Sequence, residues 1–191
     1  MTDHARRQKE EESLHYLGNI CQYQGKLLRF ESYRVKLSDG SIKEYDHIAH
    51  PGASVVIAVS EDKRIYLVRQ WRRSCQQILY ELPAGVLEAK EKIEVCADRE
   101  LQEEIGKKAL RLTSLGSFFT APGFCNEQLH LFLGEDLITS QLFCDDTMHI
   151  DISLFTIEEI LEMIDNQTIV DAKTICGIFK YLRYQYHQDQ L

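Results

Sequence analysis

The sequence predicts a mixed α/β or α+β sandwich preceded by a small antiparallel sheet. Three observations carry this. Short apolar runs bounded by turn residues dominate residues 53–133, helix-type patterns concentrate late in the chain, and an Asp-Gly turn lies between two half-apolar runs near the start. The chain has 191 residues, of which 44% are hydrophobic and 27% charged. That is enough for one domain with an accessory lobe and a core that needs no disulfide staples.

Residues 1–13 are nearly all polar and predict a frayed or disordered arm. From residue 14 to 50 the pattern is that of a β-lobe. Asp39-Gly40 sits between Tyr33–Leu37 and Ile42–Tyr45, a strong hairpin signal. His50-Pro51-Gly52 breaks the pattern and marks the start of a second domain, 51–191. Ala53–Val59, Arg64–Arg69 and Ile78–Leu82 read as strands, the last ended by Pro83 and Gly85. Ile93–Ile105 reads as a helix stopped by Gly106. Strands are expected over Leu110–Phe119 and Gln128–Leu133, on either side of Pro122-Gly123. Thr156-Ile157-Glu158-Glu159 forms a capping-box signature, with Ile160, Leu161 and Ile164 on one face of the helix that follows. Asp171 is the expected N-cap of the last helix, with Ile175, Phe179, Leu182 and Tyr186 as its core-facing stripe.

The formal charge is −8, from 22 basic and 30 acidic residues. That balance disfavours nonspecific nucleic-acid binding, and a phosphate ligand would need positive charge from elsewhere. No window nears the ~18 consecutive apolar residues of a membrane span. The first residues lack a signal-peptide core, and the six cysteines form no CxxC pair. Both features point to free thiols in the cytoplasm. Cys125 reads as an inert filler in acidic surroundings.

The informative stretch is Gly85–Gly106, GVLEAKEKIEVCADRELQEEIG. On a helix, Glu100, Glu103 and Glu104 share one arc while Leu101 and Ile105 lie beside it, facing the core. Like charges at i, i+3 and i, i+4 cost about 0.2–0.5 kcal/mol per pair. A solvated acidic face is the ordinary explanation of such a run. Here the acids crowd at turn spacing after a Pro-Ala-Gly turn, and Arg99 offsets them only in part. Carboxylates converging with a backbone carbonyl are hard ligands for Mg²⁺ or Mn²⁺, which would also supply the missing positive charge.

The same residues match a family. Gly85, five residues, Glu91, seven residues, then Arg99-Glu100-Leu101-x-Glu103-Glu104-x-Gly106 resembles the Nudix box at eight fixed positions. Lys107 stands where the family usually has an aliphatic residue. Val68-Arg69-Gln70-Trp71-Arg72, Glu81-Leu82-Pro83-Ala84-Gly85, Pro122 sixteen residues after Gly106, and Asp171-Ala172-Lys173-Thr174 resemble the ADP-ribose pyrophosphatase branch.

The resemblance implies a Nudix-type α/β/α sandwich working as a homodimer through the N-terminal β-lobe. It implies metal-dependent hydrolysis of a nucleoside diphosphate linked to a sugar, with ADP-ribose giving AMP and ribose 5-phosphate. GDP-mannose hydrolysis, or a weakened nucleotide-binding regulator, is the alternative. By the same resemblance Ala84 (carbonyl), Glu100, Glu103 and Glu104 hold Mg²⁺ or Mn²⁺, and Arg99 orients the glutamates. Arg72 contacts the diphosphate and Glu81 the nucleotide. Lys43 and Tyr45 fall where relatives supply a cation and an aromatic ring from the partner subunit. The general base falls in Cys144–His149, where Asp146 is the first candidate and Asp145 the second, with Glu127 as the fallback and His149 weaker still.

Overall fold

The computed structural model describes residues 5–6, 8–10, 15–143, 150–188 and 190. Most of the expected arm and the whole of 144–149, with Asp145, Asp146 and His149, lie outside them. The chain forms two compact units, one comprising residues 1–51 with 121–127, the other 52–120 with 128–191.

The first unit holds a three-stranded antiparallel sheet in the order β1 (Tyr16–Gln24), β2 (Arg29–Lys36), β3 (Ile42–Ala49). Asp39 makes the β2–β3 turn by accepting from the backbone N–H of Ser41 at 2.8 Å, and Gly40 takes a positive φ of 82°. The segment 121–127 joins this unit through β3. Ile48 N–H donates to Phe124 O at 2.7 Å, Asn126 N–H donates to Ile48 O at 3.2 Å, and His50 N–H donates to Asn126 Oδ1 at 2.7 Å. Among the described residues of this unit Val35 is the buried apolar side chain, while Leu17, Ile20, Tyr23 and Ile42 are exposed.

The second unit is an α/β/α sandwich. A mixed sheet runs β7 (Ala84–Val86), β4 (Ala53–Ala58), β9 (Gln128–Thr139), β8 (Lys107–Phe119). A second sheet runs β10 (Asp151–Phe155), β5 (Ile65–Arg72), β6 (Gln77–Glu81). The helices are α1 (Ile93–Glu104), α2 (Ile157–Asp165) and α3 (Ala172–Gln188).

Every residue of β4 is buried, because it pairs with β9 and β7 and is covered on both faces. Val55 and Ile57 face a core with Leu131, Ile160 and Ile178. Val56 and Ala58 face a second core with Ala97, Leu101 and Ile105 of the α1 segment. Each Val or Ile so buried contributes about 1.5–3 kcal/mol.

Helix α1 ends as the glycine signal demands: Ile105 N–H bonds Leu101 O at 3.1 Å and Gly106 takes φ 65°. The Thr156–Glu159 capping box forms, with bonds of 3.2 and 2.7 Å. β8 and β9 extend beyond the expected strands by pairing with each other as far as Lys107 and Thr139. Short β7 and β10 are gained from partners elsewhere in the chain.

One expectation fails. Helix α3 buries Thr174, Gly177, Ile178 and Tyr181, whereas Phe179 and Tyr186 are exposed. Ile175 and Leu182 only flank the core. The reason is close approach: a Cβ on Gly177 would lie 2.6 Å from Leu82 Cδ1 and 3.3 Å from Leu131 Cδ1. The helix packs on its small residues, and the bulky stripe turns aside. Among the described residues, no helix is long and apolar enough to cross a membrane.

Candidate active site

Helix α1 carries the acidic arc and β7 faces it. Ser54 Oγ donates to Ile93 O at 2.8 Å, tying the start of the helix to β4. Leu101 is fully buried in the core, so Glu100 and Glu104 are pinned against the Ala84-Gly85 strand. Ala84 N–H donates to Glu104 Oε2 at 2.9 Å. A Cβ on Gly85 would lie 1.9 Å from the Glu100 carboxylate, so any other residue here would displace that carboxylate.

Arg99 is the hub. Its Nε and Nη2 donate to the two carboxylate oxygens of Glu91, both at 2.9 Å. Its Nη1 donates to Glu100 Oε1 at 2.5 Å and to Glu103 Oε2 at 3.1 Å, and its Nη2 also reaches Val86 O at 3.1 Å. The hydrogen bonds to Arg99 hold the Glu91 carboxyl down at about 2. Glu104 has the opposite environment. Burial, and then the Glu100 charge, push it up to about 8. Burial also raises Glu100, though Arg99 opposes it.

Glu91, Glu100 and Glu103 thus share one arginine, and Glu104 lies beside them without it. Among the described residues no three such side chains already converge as a closed metal cage. The donor chemistry nevertheless fits a divalent ion: carboxylates in excess of cations, two of them nearly buried, packed against a backbone turn without a Cβ.

Beside this helix lies a second charged cluster. Glu81, at the end of β6, has 1% of its surface exposed and accepts from Arg72 Nε at 2.6 Å and Nη2 at 2.7 Å. Lys173 of α3 also donates to Glu81, and it pairs with Asp171 at 3.0 Å. Asp171 caps α3 as expected, accepting from Thr174 N–H at 3.0 Å and Thr174 Oγ1 at 2.6 Å. Leu82 N–H donates to Thr174 Oγ1 at 2.9 Å, which locks the turn before Ala84. The charges of Arg72 and Lys173 reach Glu104 and partly offset its rise. Lys173 was missed as a site residue. Its signal was a cation in the first turn of a helix, where the helix dipole disfavours it.

The structure therefore gathers Arg72, Glu81, Ala84, Arg99, Glu100, Glu103 and Glu104 in the sandwich unit. Lys43, Tyr45 and Glu127 belong to the other unit. There the Tyr45 ring stacks on Tyr33 with centroids 5.7 Å apart, and Glu127 lies 3.4 Å from His50 Nε2. A cavity of about 640 Å³ lies at Val59–Arg64, Lys107, Arg111 and Glu135–Ile138, and none of the expected site residues lines it.

Comparison with known proteins agrees with this geometry. The NUDIX domain model matches residues 49–176. The chain is 34% identical over 163 residues to an ADP-ribose pyrophosphatase of Bacillus subtilis, covering 84% of this chain and 88% of that protein. It is 33% identical over 165 residues to a methanol dehydrogenase activator of Bacillus methanolicus, covering 85% and 89%. A crystal structure of an ADP compounds hydrolase superposes with a TM-score of 0.82 at 18% identity, over 92% of this chain and 96% of that one. With its box residues gathered on α1 against a glycine turn and its sequence matched over most of its length, the chain belongs to the Nudix family.

Proposed function

We propose that the protein hydrolyses the diphosphate of a nucleoside diphosphate linked to a sugar, with ADP-ribose giving AMP and ribose 5-phosphate. The carrying observation is the buried surplus of carboxylate at Glu100 and Glu104, set against Gly85, where a Cβ would displace the Glu100 carboxylate. The likeness to an ADP-ribose pyrophosphatase over most of both chains supports the substrate.

Glu100, Glu103, Glu104 and the Ala84 carbonyl would hold Mg²⁺, with Mn²⁺ as a substitute. Bound dications would neutralise the diphosphate and make water a better nucleophile. Arg99 keeps three glutamates in register. Arg72 takes a diphosphate oxygen through its planar fork. Water attacks one phosphorus, the bond from that phosphorus to the bridging oxygen breaks, and the water proton passes to a carboxylate base. Asp146 is the proposed base, with Asp145 behind it and Glu127 as fallback. The partner subunit's Lys43 and Tyr45 complete the nucleotide contacts in a cytoplasmic homodimer. The lobe's exposed Leu17, Ile20, Tyr23 and Ile42 support such an interface.

The test is release of the nucleoside monophosphate, AMP from ADP-ribose, ADP-glucose and NADH and GMP from GDP-mannose, with Mg²⁺ or Mn²⁺. ADP-ribose is expected to be turned over fastest. No turnover of any of the four overturns the proposal. The kinship with a methanol dehydrogenase activator favours a second reading, a nucleotide-binding regulator. That reading requires ADP-ribose to bind without AMP release.

A further inference from the structure

Glu81 is buried more deeply than any other charged residue among the buried ones, and its carboxylate is matched by two cations rather than one. A buried ion pair is weak evidence for stability, since apolar residues of similar volume usually do as well. The cluster is also built in a graded way. Glu81 lies innermost at 1% side-chain exposure, Lys173 and Asp171 lie at 13% and 15%, and Arg72 is outermost at 39%. Its four charges cancel, yet the cationic end faces outward. Arg72 spends Nε and Nη2 on Glu81, while its Nη1 donates no hydrogen bond among the described residues. Helix stability does not account for Lys173, because a cation in the first turn opposes the helix dipole. The charges of both cations reach Glu104 on the acidic helix.

We propose that Glu81 is a positioning residue. Its buried carboxylate, backed by Asp171, presets the Arg72 guanidinium and the Lys173 ammonium as a paired anchor for the substrate's diphosphate. The inference rests on the diphosphatase reading and deepens it. It gives Glu81 a role that acts through two cations, in place of direct contact with the nucleotide. An arginine held bidentately from behind has lost its rotamer freedom before the ligand arrives, so less is lost on binding.

The test compares Glu81→Gln, Arg72→Lys and the double variant in the full-length protein. Kd for ADP-ribose is measured by calorimetry in EDTA, and kcat and KM with Mg²⁺. Each single variant is expected to raise Kd and KM about tenfold, the scale of one charge-assisted hydrogen bond. The kcat is expected to stay within about threefold, as for contacts made equally in ground and transition state. The double variant is expected to lose less than the sum of the two single losses, because both act in part through the same guanidinium. Additive losses, or a lowered Tm in Glu81→Gln with unchanged Kd and KM, overturn the proposal. Should Glu81→Gln fail to fold, Arg72→Lys and Lys173→Met decide it: higher Kd in both supports the anchor, and wild-type Kd in either overturns it. A wild-type protein that turns over no nucleotide sugar removes the diphosphatase reading and the anchor together. Normal wild-type turnover with unaltered variants removes the anchor alone.

Discussion

Glu81 and Glu104 are both buried glutamates, both flank the Leu82–Gly85 turn, and both feel Arg72 and Lys173, yet their carboxyls move in opposite directions. Burial disfavours the charge of each. At Glu81 direct bonds from Arg72 and Lys173 outweigh that cost and the carboxyl lies below its ordinary value. At Glu104 the bonded partner is a single backbone N–H and the nearest strong charge is another carboxylate, so it is pushed up to about 8. Burial alone therefore says little about a carboxylate's task; what it bonds to does. A carboxylate already satisfied by cations organises its surroundings. One left without them has capacity for a cation still to come.

This contrast can be broken or sharpened by experiment. Glu104→Gln keeps the Ala84 N–H bond and removes the uncompensated charge. Its Tm without metal is expected to equal or exceed that of the wild type, while turnover of ADP-ribose falls by orders of magnitude. Near-normal kcat would remove Glu104 from the chemistry. Gly85→Ala drives a methyl into the Glu100 carboxylate. Turnover is expected to drop roughly a hundredfold, the scale of an ångström-level misplacement, with weaker Mn²⁺ binding by calorimetry. Unchanged Mn²⁺ affinity would show that the close approach has no bearing on the cation.

Glu91 tests the satisfied type of carboxylate a second time. Its carboxyl is held at about 2 against an ordinary 4.5, so its contribution to stability is full above about pH 4.5 and is lost as pH falls toward 2. Glu91→Gln is expected to lower Tm at pH 7 by several degrees. The gap to wild type should shrink at pH 3, and a gap independent of pH contradicts this assignment. The smallest effect concerns Cys96, whose side chain is buried and whose thiol is pushed up to about 11 by burial. At pH 8, iodoacetamide is expected to label exposed Cys21, Cys75 and Cys176 and spare Cys96 in the native protein. Early labelling of Cys96, read by mass spectrometry, would contradict the buried setting of α1.

Much of the site was legible because its logic is local. Glu100, Glu103 and Glu104 fall on one arc of any helix with this sequence, and Leu101 and Ile105 fall on the buried side. Gly106 ends the helix through its own backbone freedom, and Asp171 and Thr156 cap helices within four residues of themselves. The α3 face was not legible. Hydrophobicity pointed to Phe179 and Tyr186, and packing chose Gly177 because Leu82 and Leu131 come too close for anything larger.

The sequence by itself determined the acidic helix, its glycine stop and the spacing that puts Glu100, Glu103, Glu104 and Arg99 on neighbouring positions of it, because these distances follow from helical periodicity. Tertiary structure alone decided that Glu81 meets Lys173, 92 residues away, and that residues 121–127 join the first unit. It also decided that Glu104 lacks the counter-charge Glu81 enjoys. A residue's partners across the chain, and hence the sign of its pKa shift, depend on which strands and helices come to lie side by side, and no local spacing records that.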